Sequence, residues 1–141
     1  MKSARNAFAL VLLVLIVSIL ACSAPKRDYS VDQIAAVEDL EELMYVQATV
    51  ADPRFRLAKG LEADAVTDAQ FAEFADMGKR LGATTKVLPR FSMGKGFKKY
   101  AQRMAEQSAE LERLALAKDG KAAAVALGIK KTCAACHDDY R

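Results

Sequence analysis

Two cysteines and the only histidine of the chain stand together near its C-terminal end, as Cys133 and Cys136 followed by His137. Cysteines three positions apart lie on one side of a helix, and a histidine four positions after the first falls on that side too. Two thiols in this arrangement can add to the two vinyl groups along one porphyrin edge, while the imidazole reaches the iron. The Cys-x-x-Cys-His spacing is therefore typical of covalent c-type haem attachment.

Three other kinds of site use a Cys-x-x-Cys spacing. A redox-active dithiol of the thioredoxin type requires a βαβ context, which the sequence pattern lacks. A zinc site requires further ligands, and the chain has no second histidine and only one other cysteine, Cys22. A plain disulfide between Cys133 and Cys136 is the alternative that stays open, because exported thiols tend to oxidise.

The helix expected to begin the folded domain opens at Ser30, where Gln33 completes a capping box. Apolar residues then recur at helical spacing over residues 34–50. Pro53 should break or kink this helix, because proline lacks the N–H of a helical hydrogen bond. A continuation as far as Gly60 is the alternative.

Three further helices follow. A second capping box, Thr67 with Gln70, opens a helix whose apolar stripe stops at Pro89. The third helix begins near Phe97 and ends around residues 118–120. The fourth carries on one face Val125, Ile129, Thr132, Cys133, Cys136, His137 and Tyr140. Four amphipathic helices with mostly short connections predict an all-α fold, an antiparallel four-helix bundle over residues 30–141.

The N-terminal segment has the layout of an export signal. Lys2 and Arg5 precede a charge-free stretch, residues 6–25, whose centre is apolar. An uncleaved membrane anchor is one alternative, although a span needs about 20 apolar residues and this centre falls just short. An ordinary cleaved signal is the other.

Residues 19–22, Ile-Leu-Ala-Cys, resemble the lipobox of bacterial lipoproteins, in which the cysteine is acylated and becomes the mature N-terminus. We therefore predict a lipoprotein signal peptide over residues 1–21, lipidation at Cys22 and a polar tether over residues 22–29. Ser23 stands where an aspartate would suggest inner-membrane retention, which favours the outer membrane. With each of these signals the folded domain lies outside the cytoplasm, on the periplasmic side.

The composition excludes two classes of protein. With 52% hydrophobic residues, the chain is too apolar to be disordered. Loss of Lys2 and Arg5 with the signal lowers the 21 basic side chains to 19, against 18 acidic ones. Such a nearly equal number of basic and acidic side chains gives no support to a nucleic-acid partner.

The segment 128–141, Gly-Ile-Lys-Lys-Thr-Cys-Ala-Ala-Cys-His-Asp-Asp-Tyr-Arg, resembles the terminal helix of class II c-type cytochromes, the cytochrome c prime group with its low-spin relatives. These are exported four-helix bundles with the haem motif close to the C-terminus. The resemblance extends over about residues 31–141 and implies one covalent haem c. It places the thioether bonds on Cys133 and Cys136 and makes His137 an axial ligand of the iron.

By the same resemblance, the opposite face of the haem meets Met44 of the first helix. A methionine and histidine pair raises the reduction potential of haem iron and suits an electron carrier. The alternative is that Met44 only fills a gap in the core, as methionines often do. Met77 and Met104 lie on helix stripes and are expected in the core, and Met93 lies in the loop before the third helix.

In relatives, two positions near the haem are basic, and this chain has Arg141 at one of them and Leu40 at the other. Arg141 stands one helical turn after His137 and would flank the proximal haem face, a frayed surface arginine being the alternative. Many relatives carry an arginine near a haem propionate where this chain has Leu40. The propionate partners must then come from elsewhere, with Lys86, Arg90 and Lys95 as candidates and Phe91 and Phe97 as candidate walls of the haem pocket.

The resemblance implies a single-electron carrier with redox proteins as partners and no enzymatic activity, and the predicted lipid anchor holds it at a membrane. Peroxidase-like turnover is disfavoured because the Met44 side of the haem offers no histidine and no obvious general acid or base. If Met44 does not coordinate, the iron is five-coordinate and binds nitric oxide or carbon monoxide. A homodimer through the first two helices is common among relatives.

A run of positive charge opens the third helix and has two interpretations. Its members are Lys95, Lys98, Lys99 and Arg103. They form either a docking surface for an acidic redox partner or simply a solvated helix face.

Overall fold

The computed structural model describes residues 28–91 and 93–140 of the chain. Its helices are α1 (Val31–Ala35), α2 (Leu40–Ala58), α3 (Asp68–Val87), α4 (Lys95–Leu116) and α5 (Lys121–Tyr140), with a 3₁₀ turn (Leu88–Arg90) after α3. No strand occurs in the described residues. The predicted signal peptide, the lipidation site Cys22, residues 22–27 of the tether and Arg141 lie outside them.

The four long helices alternate in direction, as hydrogen bonds between their side chains show. Gln47 of α2 donates to Thr84 of α3 over 2.9 Å. Further along α2, Arg54 donates to Asp76 of α3 over 3.2 Å. The α3 partner moves back along the chain as the α2 residue moves forward, so the two helices are antiparallel. The fold prediction of an antiparallel four-helix bundle is therefore confirmed for this pair.

The same test applies to α4 and α5. Tyr100 of α4 bonds to Asp139 of α5, and Gln107 bonds to Thr132. These two helices are antiparallel as well, and α5 closes the bundle against both α4 and α2. One end of the bundle therefore gathers the start of α2, the end of α3, the start of α4 and the end of α5. We call it the motif end, because Cys136 and His137 lie there.

The first helix differs from its prediction. Ser30 caps α1 through the expected box with Gln33, but the helix ends at Ala35. A second cap begins α2: Asp39 is extended, and its carboxylate accepts from the Glu42 amide at 3.1 Å. The prediction of a single helix from Ser30 onwards is therefore wrong, because the carboxylate of Asp39 stabilises a new helix N-terminus within the apolar stripe.

Of the break or kink predicted at Pro53, the break is wrong, and the alternative of a continuation is confirmed. Pro53 lies inside α2, which continues to Ala58. Proline leaves the carbonyl of Thr49 without its helical donor. The buried side chain of Phe55 beyond it still packs into the core, which holds the last turn of α2 in place.

The remaining helices begin and end close to their predicted positions. Thr67 and Gln70 form the reciprocal capping box at the start of α3. α3 ends at Val87, just before the turn that contains Pro89, and α4 ends at Leu116. Met77 and Met104 are buried, as expected. None of the helices in the described part of the chain is long and apolar enough to cross a membrane.

Candidate haem site

The rotation of α5 about its axis is set by its buried face. Ile129 and Thr132 are both buried, and the Thr132 hydroxyl donates to the Gln107 side chain of α4 over 2.8 Å. This bond fixes the turn that immediately precedes the motif. Cys133, the next residue along the helix, is turned by about 100° from the Thr132 side that meets α4.

Both motif cysteines are half-buried and pack against the hydrophobic core. They are free thiols in this structure. Burial raises the pKa of Cys133 to about 11, with smaller contributions from Cys136 and from Asp52 of α2. Asp52 belongs to α2, which packs against α5.

The pKa of the Cys136 thiol is raised as well. Its pKa is raised chiefly by burial and in addition by the neighbouring Asp139 carboxylate. Reactive dithiols depend on the opposite effect, a pKa lowered by positive charge or a helix N-terminus. The pKa of each motif thiol is raised instead, which argues against a thioredoxin-like redox pair.

His137 lies at the solvent edge of the face that carries the cysteines. Its side chain is exposed, whereas Cys133 and Cys136 are half-buried. The predicted common face of these three residues therefore runs from the core at Cys133 to solvent at His137. An exposed imidazole one turn after a half-buried thiol is free to turn towards a group attached at that thiol.

Met44 lies on α2 and is half-buried against the core. It stands about two helical turns before Asp52, whose carboxylate contributes to the raised pKa of Cys133. Because α2 and α5 run in opposite directions, the step from Cys133 to His137 leads towards the Met44 end of α2. The thioether and the imidazole are therefore on facing helices at the motif end.

The other basic candidates lie at the same end of the bundle. Lys86, Arg90 and Lys95 are exposed, and Arg90 donates to the backbone carbonyl of Ala35 over 3.1 Å. That bond ties the end of α3 to α1. Lys86 and Lys95 form no ion pair with a carboxylate in the part of the chain that the structure describes.

An aromatic cluster holds the last turn of α5 and was not predicted from the sequence. The Tyr140 ring packs edge-on against Phe97 and Tyr100 of α4, with centroid distances of 5.7 Å and 6.3 Å. The Tyr100 hydroxyl donates to Asp139 over 2.6 Å. These contacts fix the helical turn that carries His137. Phe97 and Tyr100 stand three positions apart on one face of α4, and that spacing was the available signal.

The side chains of this end fit a covalent haem. Two accessible free thiols on one helix face, an imidazole beside them and a thioether on the facing helix are the donor set of a c-type haem. Within residues 28–91 and 93–140, no three histidine, cysteine, aspartate or glutamate side chains come together as a metal-ion site. The zinc alternative therefore finds no ligand set in that part of the chain.

An all-helical bundle with a Cys-x-x-Cys-His motif on its last helix defines a c-type cytochrome. The model of the family described as Cytochrome C' matches residues 30–141, and the chain belongs to that family. Proteins of this family bind one covalent haem c and are typically periplasmic, and in general they carry or bind haem without being enzymes. Comparisons with curated proteins and with solved structures found no match.

Proposed function

We propose that this protein is a single-electron carrier whose haem is attached through Cys133 and Cys136 and ligated by His137 and Met44. The observation that carries the proposal is the placement of Met44 and His137 on facing helices at one end of the bundle. When bound, the haem supplies a one-electron Fe(III)/Fe(II) couple. The chain itself determines how that couple is held.

Each residue of the site has a separate task in this proposal. The Cys133 and Cys136 thiols would hold the haem covalently on α5, through thioether bonds to its two vinyl groups. The His137 imidazole and the Met44 thioether would supply the two side-chain ligands of the iron. A neutral thioether stabilises the reduced iron relative to the oxidised iron, which raises the reduction potential.

The surroundings of Met44 favour electron transfer over catalysis. Its flanking residues Leu43 and Tyr45 differ in burial, with Leu43 completely buried and Tyr45 exposed. One turn away along α2 lie Leu40, Glu41, Gln47 and Ala48, and the one carboxylate among them, Glu41, is exposed. The apolar neighbours of Met44 supply no proton, which disfavours acid–base chemistry next to them.

Visible absorption spectra of the haem-loaded protein test the ligand assignment. The wild-type protein should show a sharp low-spin spectrum after dithionite reduction and little change with carbon monoxide. Met44→Leu should convert it to a broad high-spin spectrum that shifts on adding carbon monoxide. Met104→Leu is the matched control, because Met104 is a buried methionine of α4, and it should leave the spectrum unchanged.

A different result would redirect the proposal. If the wild-type protein is already high-spin and binds carbon monoxide, Met44 is not a ligand. The half-buried Met44 would then be a packing residue beside a vacant iron site. The protein would be a five-coordinate binder of nitric oxide or carbon monoxide instead of an electron carrier.

We also propose that the domain is tethered to a bacterial membrane, on the periplasmic side, by a lipid on Cys22. The support is the lipobox-like run of residues 19–22 and the polar tether that follows. Tethering raises the concentration of a carrier near membrane redox enzymes. Labelled palmitate supplied to the expressing cells should be incorporated into the wild-type protein and not into Cys22→Ser. A wild-type protein that takes up no label would refute the lipid anchor.

A further inference from the structure

The chain around the loop between α3 and α4 carries only positive charge. From Met77 to Ala105 there are eight lysines and arginines and no aspartate or glutamate. Arg80 is buried, and the other seven are exposed. None of those seven pairs with a carboxylate in the described residues. Their charge is therefore available to a partner.

Four of these residues form one surface at the start of α4. They recur at helical spacing on the side opposite the buried residues of that helix. We call this surface the basic patch: Lys95, Lys98, Lys99 and Arg103.

A cavity of about 320 Å³ lies beside the basic patch, beneath the loop. It lies between the end of α3 with its 3₁₀ turn and the first turns of α4, two helices whose backbones are in close contact lower down, at Gly78 and Ser108. Most of the lining is apolar, and Thr85, Lys98 and Gln102 supply the polar groups. The lining residues are Thr85, Pro89, Phe91, Met93, Phe97, Lys98, Ala101, Gln102 and Ala105.

One side chain connects this cavity to the haem motif. Phe97 lines the cavity and also packs edge-on against the Tyr140 ring at a centroid distance of 5.7 Å. Tyr140 follows His137 by three residues on α5. Only two aromatic rings therefore separate a molecule seated in the cavity from the helical turn that carries the axial histidine.

The opposite side of the motif end has the opposite charge. Glu38, Asp39 and Glu41 are exposed at the start of α2. An acidic surface that approaches this end is attracted to the α4 side and repelled from the α2 side. The charge distribution thus favours one orientation of an acidic partner over the other.

We propose that the basic patch and the adjoining cavity form the docking site of an acidic redox protein. This inference rests on the proposed electron-transfer function and names the partner's chemistry. Carboxylates of the partner face the basic patch, and an apolar side chain of the partner enters the cavity beside Phe91 and Met93. A charged rim around an apolar centre is the usual anatomy of a transient protein interface. The electron crosses near Phe97 and Tyr140.

An anionic membrane surface is the competing occupant, since it also attracts lysines. The shape of the site disfavours it. Peripheral membrane binding uses apolar side chains that project into the lipid, whereas the apolar residues here surround a concave space, with Phe97 buried and Phe91 half-buried.

Stopped-flow oxidation of the reduced, haem-loaded protein tests the charge. Ferricyanide takes one electron from the ferrous haem, which gives ferrocyanide and ferric haem. At low salt, Lys95→Glu/Lys98→Glu should slow this reaction by about tenfold, and added salt should reduce the difference. The cationic oxidant tris(phenanthroline)cobalt(III) should react faster with the variant than with the wild type.

The matched control is Lys59→Glu/Lys121→Glu. It makes the same change in net charge with exposed lysines at the other end of the bundle. Its ferricyanide rate should change by less than about twofold, because the added charges lie far from the motif end. Equal slowing in both double variants would show that only net charge matters and would overturn the docking site.

A second measurement does not use the redox reaction. Hexacyanochromate(III), a redox-inert paramagnetic trianion, should broaden the backbone amide NMR signals of residues 95–103 in the ferrous protein. Broadening confined to other surfaces, such as Lys130 and Lys131, would overturn the proposal. This result separates the two hypotheses, because the patch can bind the trianion even if Met44 proves not to ligate the iron.

The apolar seat is tested with a protein probe. Reduced flavodoxin, an acidic one-electron carrier, should reduce the ferric protein with saturation kinetics. Met93→Gln removes an apolar, 38% exposed side chain without changing the charge. It should raise the half-saturating flavodoxin concentration several-fold and leave the ferricyanide rate unchanged. An unchanged half-saturating flavodoxin concentration in Met93→Gln would overturn the role of the cavity in docking.

Vesicles decide between a protein and a membrane. In the Cys22→Ser background, the protein should sediment equally little with phosphatidylglycerol and with phosphatidylcholine vesicles. Sedimentation with the anionic vesicles that is lost in Lys95→Glu/Lys98→Glu would assign the basic patch to lipid and overturn the protein docking site.

Discussion

Gly78 of α3 lies directly against the backbone of Glu112 in α4. A Cβ atom at Gly78 would stand 2.7 Å from the Glu112 nitrogen and 2.7 Å from the Ser108 carbonyl oxygen. Both neighbours are helical backbone atoms, which cannot move aside like the end of a flexible side chain. The absence of a side chain at this position is what lets α3 and α4 come together below the cavity.

Gly78→Ala should therefore destabilise the protein. Alanine in place of glycine gains about 1 kcal/mol in a helix interior, but forced separation of two packed helices costs about 1–3 kcal/mol. We expect a net loss in the free energy of unfolding, measured by urea denaturation of the haem-loaded protein.

Gly82→Ala is the control for this prediction. It lies one turn further along the same side of α3, and its added Cβ would meet only the Ser108 Cβ at 3.9 Å, an ordinary contact. This substitution should raise the free energy of unfolding by the helix-propensity gain alone, up to about 1 kcal/mol. A Gly78→Ala protein as stable as Gly82→Ala would show that the two backbones are not held together at this point.

The helices were predictable to the extent that their signals are local. The Thr67 and Gln70 box and the stripe that ends before Pro89 contain everything that defines α3, and its bounds agree with the prediction. The boundary between α1 and α2 has two valid caps, Ser30 and Asp39, within one apolar stripe. Periodicity alone does not show that the chain leaves the helix between them.

Asp76 on α3 accepts hydrogen bonds from two buried arginines. Arg54 donates from α2 over 3.2 Å and Arg80 donates from the next turn over 2.6 Å, with side chains only 15% and 9% exposed. Burial alone would lower the pKa of Arg80, but hydrogen bonds with Asp28 and Asp76 raise it above its ordinary value. Arg80 is therefore charged in the fold and depends on these carboxylates.

Asp76→Ala should lower the free energy of unfolding by about 1–2 kcal/mol, because a hydrogen bond to a charged group is lost at each arginine while Glu73 and Asp28 still offset part of the charge. Thermal unfolding at two salt concentrations checks this. Glu110→Ala, which breaks the exposed pair with Arg113, is the comparison and should leave the midpoint unchanged. Equal effects of the two substitutions would mean that the buried arginines do not depend on Asp76.

Haem attachment should follow the two motif cysteines and not Cys22. Cys133→Ala/Cys136→Ala should lose all haem on acid–acetone extraction, since no thioether is left. Each single variant should keep haem through one thioether and shift the α band of its pyridine haemochrome to longer wavelength. Cys22→Ser is the control and should resist extraction like the wild type. Haem that resists extraction in the double variant would contradict the attachment site.

The site was predictable from sequence only where spacing determines it. Cys133, Cys136 and His137 are neighbours on one helix, so their arrangement follows from helical geometry. Met44 came from a family resemblance, and the structure adds its half-buried position on the facing helix. The contact of Phe97 with Tyr140 joins residues 43 positions apart. No local pattern specifies such a pair, because it depends on how α4 and α5 pack.

The last turn of α5 should be sensitive to Gly96 at the start of α4. A Cβ atom at Gly96 would collide with the Tyr140 hydroxyl oxygen but would stand 3.4 Å from the ring carbon that carries it. Gly96→Ala should therefore displace the Tyr140 ring from Phe97 and Tyr100. The effect belongs to the hydroxyl group, so it should vanish when that group is absent.

A double-mutant cycle measures this coupling. Gly96→Ala alone should destabilise the haem-loaded protein, whereas Gly96→Ala in the Tyr140→Phe background should be neutral or slightly stabilising, with a coupling energy of about 1 kcal/mol. Urea unfolding followed at the Soret band and by far-ultraviolet circular dichroism gives both the haem environment and the fold. Equal effects of Gly96→Ala in the two backgrounds would show that Tyr140 does not pack at the start of α4, and the aromatic connection from the cavity to the His137 turn would then be wrong.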